Sequence, residues 1–320
     1  MSLEKAFDDF QTTVNADAVL LKVARGRAST VKAAFDAEPD VVRTWLSGSL
    51  RRSTQLDPVH DVDMVVEYDR PDWGAPGPLA AEAIEHVRVR VKDLLGDPGG
   101  SEDELVRRAD GKNHNRAVKC FVDDPDDPDA FTIDVMPVLR QEDDTLLIPD
   151  ARNADWITAN PEHLIRLVQE KHDSWEYFRP MVRVVKRWRD GLALDPPVKS
   201  LYMEVLALEC LPLGPTRAKA LATFFTRAAV RVNEPVADPA GHCGPIQPDL
   251  DVVALRTAFE EAAHLAEAAV VAESRGDTDE ALRAWREVFG TDFPAPEKSA
   301  AAFGVSALIT PRAMYDRPQG

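Results

Sequence analysis

The chain has 320 residues and carries 55 Asp and Glu against 38 Lys and Arg, a formal net charge of −17 at pH 7. Because non-specific binding to nucleic acid depends on clustered positive charge, this composition disfavours a polymer template or a long RNA as the ligand. No apolar run approaches the roughly 20 residues needed to cross a bilayer, so we expect no membrane segment. The length allows about two domains.

The cysteines and the N-terminus indicate a reducing compartment. Cys120, Cys210 and Cys243 are odd in number and widely spaced, which argues against a disulfide framework. His242 and Cys243 have no second pair of ligands at zinc spacing, so we expect an ordinary turn there. The opening residues, MSLEKAFDDFQ, lack the basic-then-apolar order of a secretory signal. We therefore expect a cytoplasmic protein.

The first half of the chain mixes helix and strand patterns. Apolar residues at helical spacing predict helices over residues 16–37 and 79–95, and short apolar runs predict strands over 41–46 and 61–68. Two further strands are plausible in ELVRR and RAVKCFV. The acidic segment DDPDDPDA then reads as a solvated hairpin loop before a strand that carries Asp134.

After about residue 150 the pattern becomes helical. IPDARNADWITANPEHL (148–164) predicts a polar connection, with Pro161 opening a helix. A stripe at i, i+3, i+4 and i+7 then indicates a buried helix face; it consists of Met181, Val184, Val185 and Trp188. Two more helices are expected within 249–290. A mixed half followed by a helical half predicts an α+β fold with an active-site cleft between two lobes.

Carboxylates interrupt two of the predicted strands. Asp61 and Asp63 are two residues apart, so a strand directs both to one face, and Asp134 lies between apolar neighbours. An unpaired buried charge is very costly, and a bound divalent cation removes that cost. Three carboxylates on two strands can hold two Mg²⁺ and so clamp the attacking and leaving oxygens of a phosphoryl transfer. A lone Asp-x-Asp is more often a solvated loop or a helix cap.

Gly48 and Ser49 directly follow the strand predicted at 41–46. Glycine lets the backbone approach a ligand closely, and serine adds a hydroxyl and an N–H for phosphate oxygens. A Gly-Ser pair alone is usually a plain turn. A strand, Gly-Ser, an Asp-x-Asp strand and a distant third Asp are hard to combine by accident, so we interpret them together as a phosphate- and metal-binding centre.

These motifs resemble the nucleotidyltransferase superfamily that includes DNA polymerase beta, the kanamycin nucleotidyltransferase and the tRNA CCA-adding enzymes. The helical half is similar, more narrowly, to the bacterial cGAS/DncV-like nucleotidyltransferases (CD-NTases). The segments that carry this similarity are IPDARNADWITANPEHL, VVKRWR, VKSLYMEVLALE, DPAGHCG and ALRAWREVFGTDFP. The resemblance implies a polymerase-beta-like core with an N-terminal helix over residues 1–155, a helical lobe over 156–296 and a tail over 297–320.

The resemblance assigns the acidic site to metal binding. Asp61, Asp63 and Asp134 would hold two Mg²⁺, which Mn²⁺ can replace. Asp134 would bind the metal that lowers the pKa of the acceptor hydroxyl, or would take its proton directly. Gly48 and Ser49 would hold the β- and γ-phosphates of ATP or another nucleoside triphosphate.

In the helical lobe, the resemblance assigns Lys186 and Ser200 to the triphosphate tail and Tyr202 to stacking on a base. From the pattern alone, a solvated helix face explains Lys186 as well, a surface position explains Ser200, and packing explains Tyr202 better than stacking does.

The function implied by the resemblance is synthesis of a cyclic di- or trinucleotide second messenger in antiphage (CBASS) signalling, with regulatory or conjugating partner proteins. The zinc ribbon and basic DNA platform of the animal relative are absent from the sequence. Two alternatives stay open: a nucleotidyltransferase that modifies tRNA or a small molecule, and a catalytically silent nucleotide-binding regulator. The acidic charge weighs against tRNA, and the intact set of three aspartates weighs against a silent protein.

Overall fold

The computed structural model describes residues 1–73, 79–96, 106, 108–110, 115–127 and 130–296, which form two compact units. The sheet unit comprises Ala16–Arg166 and Ala240–Cys243. The helical unit comprises Met1–Asn15, Leu167–Pro239 and the described chain from Gly244 onward. The first helix, α1 (Leu3–Val14), thus groups with the later helices, whereas the sequence predicted it as part of the core domain. The tail expected at 297–320 lies outside the described residues.

The sheet unit contains a mixed sheet and its helices. Its elements are α2 (Ala18–Asp36), β1 (Val41–Leu46), α3 (Gly48–Arg52), β2 (Asp61–Tyr68), α4 (Leu79–Leu95), β3 (Arg108–Asp110), β4 (Val118–Phe121), β5 (Thr132–Arg140), β6 (Leu146–Asp150) and β7 (Asp155–Ala159). Among the described strands the order is β1-β2-β5-β4-β3, with β6 pairing the end of β5 and then β7. Only the β2–β5 pair is parallel within these strands. The predicted α+β fold is confirmed, as are the two helices and both early strands.

The polar connection predicted at 148–164 was wrong. This segment forms most of the β6–β7 hairpin, in which Leu147 pairs with Thr158 and Ile148 pairs with Ile157. Pro149 and the neighbouring acidic residues obscured the alternation in the sequence, but both faces of the hairpin are buried: Trp156 packs into the main core, and Ile148 and Ala159 pack into the small second core.

Alternation along β2 and β5 gives the sheet two different faces. Val62, Met64 and Val66 of β2 pack into the main core, together with side chains of α2 and α4. The opposite face carries Asp61 and Asp63 at one end of β2 and a small second core, which includes Val65 and Val138, further along. The acidic end of this face is therefore the part of β2 that the cores leave uncovered.

Helices α5 (Pro161–Ser174), α6 (Phe178–Asp190), α7 (Ser200–Cys210), α8 (Arg217–Arg231), α9 (Val252–Ser274) and α10 (Thr278–Phe289) follow, and a 3-10 turn over Gly290–Asp292 comes after α10. Pro161 opens α5 as expected, and the predicted stripe on α6 is buried. Across the described part of the chain, no helix has both the length and the hydropathy to span a bilayer.

Helix α1 is fixed to the helical unit by aromatic packing and by one buried arginine. The Phe7 ring meets Trp285 edge-on at 5.3 Å and Phe293 at 5.2 Å. Arg217 of α8 is buried and its guanidinium donates to the carboxylates of Glu4 and Asp8. The amphipathic pattern of α1 therefore contributes directly to the core of this unit.

We expect Phe7→Ala to lower the free energy of unfolding by about 3–5 kcal/mol, because it leaves a cavity between α1 and α10. Chemical denaturation measures this. Val230→Ala, at a 72% exposed position in the same unit, is the matched control and should change stability by less than about 0.5 kcal/mol. Equal small effects for both variants would contradict the docking of α1.

Candidate active site

The pairing of β2 with β5 brings the predicted carboxylates together. The register places Asp63 beside Asp134 and Asp61 beside Thr132. Neighbouring strands lie about 4.8 Å apart, and residues opposite each other in register point to the same face of the sheet. Asp61 and Asp63 are exposed, and Asp134 is half-buried. The sheet therefore presents three carboxylates on one uncovered patch.

Asp134 has an environment that is unusual for a carboxylate. Its Oδ1 atom is shut off from solvent and has no hydrogen-bond partner among the described residues. Burial raises the pKa of Asp134 to about 7; Lys119 opposes this shift, and the carboxylates of Asp63 and Asp61 add to it. An acid with this pKa is half-ionised near neutrality and is suited to exchange a proton with a substrate group.

The donor chemistry of the patch fits a divalent cation. Carboxylate oxygens are the ligands that Mg²⁺ and Mn²⁺ prefer, and the orphaned oxygen of Asp134 lacks any donor that a cation would have to displace. In the described residues, no three His, Cys, Asp or Glu side chains converge closely enough to form a ready-made metal cage. Like charges repel each other, and a cation bound among these carboxylates would offset that repulsion.

Gly48 touches the same patch from the end of β1. The backbone N–H of Ser47 donates to the carbonyl of Asp63 at 2.8 Å, and α3 begins at the next residue. Gly48 has φ of +60°, and a Cβ there would overlap the carboxylate of Asp63, lying 2.6 Å from its Cγ. Only glycine fits this position. Gly48 is therefore held against Asp63. That Gly48 and Ser49 bind phosphate stays a prediction from the sequence.

Two of the predicted residues of the helical unit, Lys186 on α6 and Ser200 on α7, are each hydrogen-bonded to a residue of the other helix. Lys186 Nζ donates to Glu204 Oε1 at 3.0 Å, and the two side chains are 3% and 1% exposed. The hydroxyl oxygen of Ser200 accepts a hydrogen bond of 2.8 Å from Arg189. Two polar pairs therefore join the two helices.

Tyr202 lies on the same helix, α7, and is 3% exposed, so its ring is packed. Burial raises the pKa of its hydroxyl. The environment favours the packing explanation of Tyr202 over the stacking role that the resemblance implies.

Two residues that contact or face the predicted site residues were missed in the sequence. Lys119 of β4 lies directly opposite Asp134, and Glu204 is the buried partner of Lys186. A charged residue inside an apolar strand was the signal available for Lys119, because the same reasoning had identified the aspartates. Glu204 stands in the apolar run LYMEVLAL and gave a similar signal.

No protein-family model matches the chain. Two curated proteins resemble it over most of its length. A cyclic AMP-AMP-AMP synthase from an Acinetobacter species is 25% identical over 290 residues, which cover 84% of this chain and 78% of the relative. A cyclic AMP-AMP-GMP synthase from Enterobacter hormaechei is 23% identical and covers 92% of this chain and 93% of the relative.

Solved structures show the same fold. CdnC from Escherichia coli MS115-1, in a complex with HORMA-deltaN, superposes with a TM-score of 0.66 at 18% identity over 91% of this chain and 98% of that one. The structure of CdnC with ATP gives a TM-score of 0.65 at 18% identity, with 92% and 99% of the two chains covered. The resemblance found in the sequence is confirmed at the level of the fold.

We expect Gly48→Ala to destabilise the protein and to weaken its binding of Mn²⁺. A non-glycine residue in the left-handed region costs about 1–3 kcal/mol, and the new Cβ must also displace Asp63. Chemical denaturation and Mn²⁺ titration by electron paramagnetic resonance measure the two effects.

Gly26→Ala is the matched control, since a Cβ there meets no atom within 4 Å in the interior of α2. It should stabilise the protein by about 0.5–1 kcal/mol and leave Mn²⁺ binding unchanged. If both glycine variants bind Mn²⁺ like the unchanged protein, the close approach of Gly48 to Asp63 is not needed for cation binding.

We expect Asp134→Asn to stabilise the protein in EDTA at pH 8. A carboxyl with a pKa of about 7 when folded and 3.8 when unfolded binds its proton more tightly in the folded state. Its ionisation therefore costs stability progressively as pH rises from about 4 to 7, by at most about 4 kcal/mol. Urea denaturation from pH 4 to 8 should show the variant's advantage growing with pH. The exposed Asp126→Asn should show no such trend.

Proposed function

This chain has the fold of the cGAS/DncV-like nucleotidyltransferases, and from that premise we propose that it joins ribonucleoside triphosphates into a cyclic di- or trinucleotide. Each transfer would form a bond between an acceptor hydroxyl oxygen and a donor α-phosphorus and would break the bond to pyrophosphate. The observation that carries the proposal is the register that sets Asp134 beside Asp63 on an uncovered sheet face. The names of the curated relatives, which are cyclic nucleotide synthases, support it.

Asp61, Asp63 and Asp134 would hold two Mg²⁺, for which Mn²⁺ can substitute. Bound there, the ions would lower the pKa of the acceptor hydroxyl and stabilise negative charge on the leaving pyrophosphate. If Asp134 does not bind the ion, it would instead accept the hydroxyl proton directly; its raised pKa, caused by burial, belongs to the site without a cation. The structure of CdnC with ATP supports a nucleoside triphosphate as the substrate of this fold.

The remaining residues would bind the triphosphate. Gly48, held against Asp63, and Ser49 would place backbone N–H groups and a hydroxyl at the β- and γ-phosphates. Lys186 and Ser200 are proposed to contact the triphosphate tail. A serine hydroxyl can donate as well as accept, so Ser200 would donate its O–H to a phosphate oxygen.

The biological setting is also part of the proposal. CdnC is seen in a complex with HORMA-deltaN, which supports a regulatory partner for this chain in antiphage (CBASS) signalling. A conjugating partner, a cytoplasmic location and the exclusion of long nucleic acid stay predictions from the sequence.

Incubation with labelled nucleoside triphosphates and Mg²⁺ or Mn²⁺, followed by phosphatase, tests the reaction. We expect a phosphatase-resistant product that disappears in Asp61→Asn and Asp63→Asn, since each removes one of the carboxylates that would hold the ions. Gly26→Ala should keep the product. Transfer of the label to tRNA or to a small molecule would support the first alternative. Nucleotide binding without transfer under any activating condition would support a silent regulator.

A further inference from the structure

The face that carries the aspartates continues past β5 onto β4 and β3, across Asp134, which is half-buried, and Thr132, which is buried. Lys119 stands opposite Asp134, and Phe121 stands opposite Thr132, which itself pairs with Asp61. Lys119 and Phe121 are both half-buried, whereas Val118 and Cys120 between and beside them are fully buried on the other face. The Phe121 ring therefore extends the carboxylate face and does not belong to the main core.

Phe121 is covered in part by an arginine from the next strand. Arg108 pairs with Phe121 in register, and its guanidinium carbon lies 4.2 Å from the centre of the ring. Lys119 Nζ lies 6.0 Å from the same centre. A half-exposed ring with a planar guanidinium over it is the kind of surface on which a nucleobase stacks, through the π face and through cation–π attraction.

The lateral order of the sheet indicates which nucleotide this surface serves. The Gly48–Ser49 turn lies on the β1 side of Asp61 and Asp63, and Phe121 lies on the opposite side, beyond Asp134. With strands about 4.8 Å apart, Phe121 is roughly 10 Å from Asp61. In an in-line transfer the attacking and leaving oxygens are on opposite sides of the phosphorus. If the leaving pyrophosphate is at Gly48–Ser49, the acceptor approaches from the β4 side.

We propose that Phe121, with Arg108 over its ring, stacks the base of the acceptor nucleotide. This inference rests on the proposed function and adds a base subsite to it. A purine is the expected base, because its two rings cover more of the combined phenyl and guanidinium surface than a pyrimidine does. Lys119, between Phe121 and Asp134, adds positive charge beside the acceptor's phosphates.

Two substrate analogues separate the acceptor from the donor. Dideoxy-ATP lacks both ribose hydroxyls and serves only as donor, whereas α,β-methylene ATP cannot release pyrophosphate and serves only as acceptor. In this single transfer we expect Phe121→Ala to raise the acceptor KM by about 5- to 100-fold, because the variant loses the stacking of one base. The donor KM should stay within about twofold. Phe121→Trp should restore the acceptor KM.

Trp45→Ala is the matched control. Trp45 is also half-buried and also lies under an arginine, with the Arg43 guanidinium carbon 4.4 Å from its ring, but it is on β1. It should leave both KM values unchanged. An acceptor KM that is unaffected by Phe121→Ala, or that rises equally in Trp45→Ala, would overturn the assignment, as would a rise in the donor KM alone.

Calorimetric titration with α,β-methylene ATP and Mg²⁺ keeps this inference separate from the synthase activity. Weaker binding to Phe121→Ala than to the unchanged protein supports the stacking surface, even where no transfer occurs and the proposed function fails. Equal binding to the two proteins overturns the stacking surface and leaves the proposed function standing. Absence of binding to the unchanged protein overturns both.

Discussion

The parallel pairing of β2 with β5 is the constraint on which the candidate site depends. One face of these strands is apolar, with Val62 and Met64 on β2 and Ile133 and Val135 on β5 packed into the main core. A slip of one residue would turn that apolar set outward and the aspartates inward, so the core fixes the register strongly. The free energy that stabilises the sheet therefore also sets Asp134 beside Asp63.

Glu67 and Asp134, two acids of the same strand pair, have opposite environments. Glu67, near the end of β2, is buried and accepts hydrogen bonds from Arg43 and Arg140, each at 3.0 Å from the nearest carboxylate oxygen. Both arginines also reach Glu162 at the start of α5, so the charges are matched. Asp134 has a buried oxygen without any such donor. A buried carboxylate without a matching positive charge destabilises the fold, and a positively charged ligand at Asp134 would explain why the protein has one there.

Local patterns predicted the elements of the sheet unit because alternation and helix stops are local signals. The strands at 41–46 and 61–68 and the helix at 79–95 were found with their bounds, and the spacing of Asp61 and Asp63 placed both on one face. Register is a long-range property, so the sequence could not predict that Lys119 and Phe121 lie beside the site. The β6–β7 hairpin was missed because Pro149 interrupts its pattern. The ion pair of Lys186 with Glu204 was missed because it joins two helices, and a local pattern does not show which helices are neighbours.

The charge of the chain explains why a small substrate is favoured over a long one. A net charge of −17 disfavours a polyanion as the ligand, and the carboxylate patch would repel a free triphosphate too. A divalent cation bound between the carboxylates and the triphosphate would invert the local field, so the proposed substrate would enter as its metal complex. On the far side of Asp134 the face carries Lys119 and Arg108 beside an aromatic ring, with Asp110 in register opposite Lys119. A nucleotide that presents its phosphates to the cations and its base to this ring would match both halves of the face.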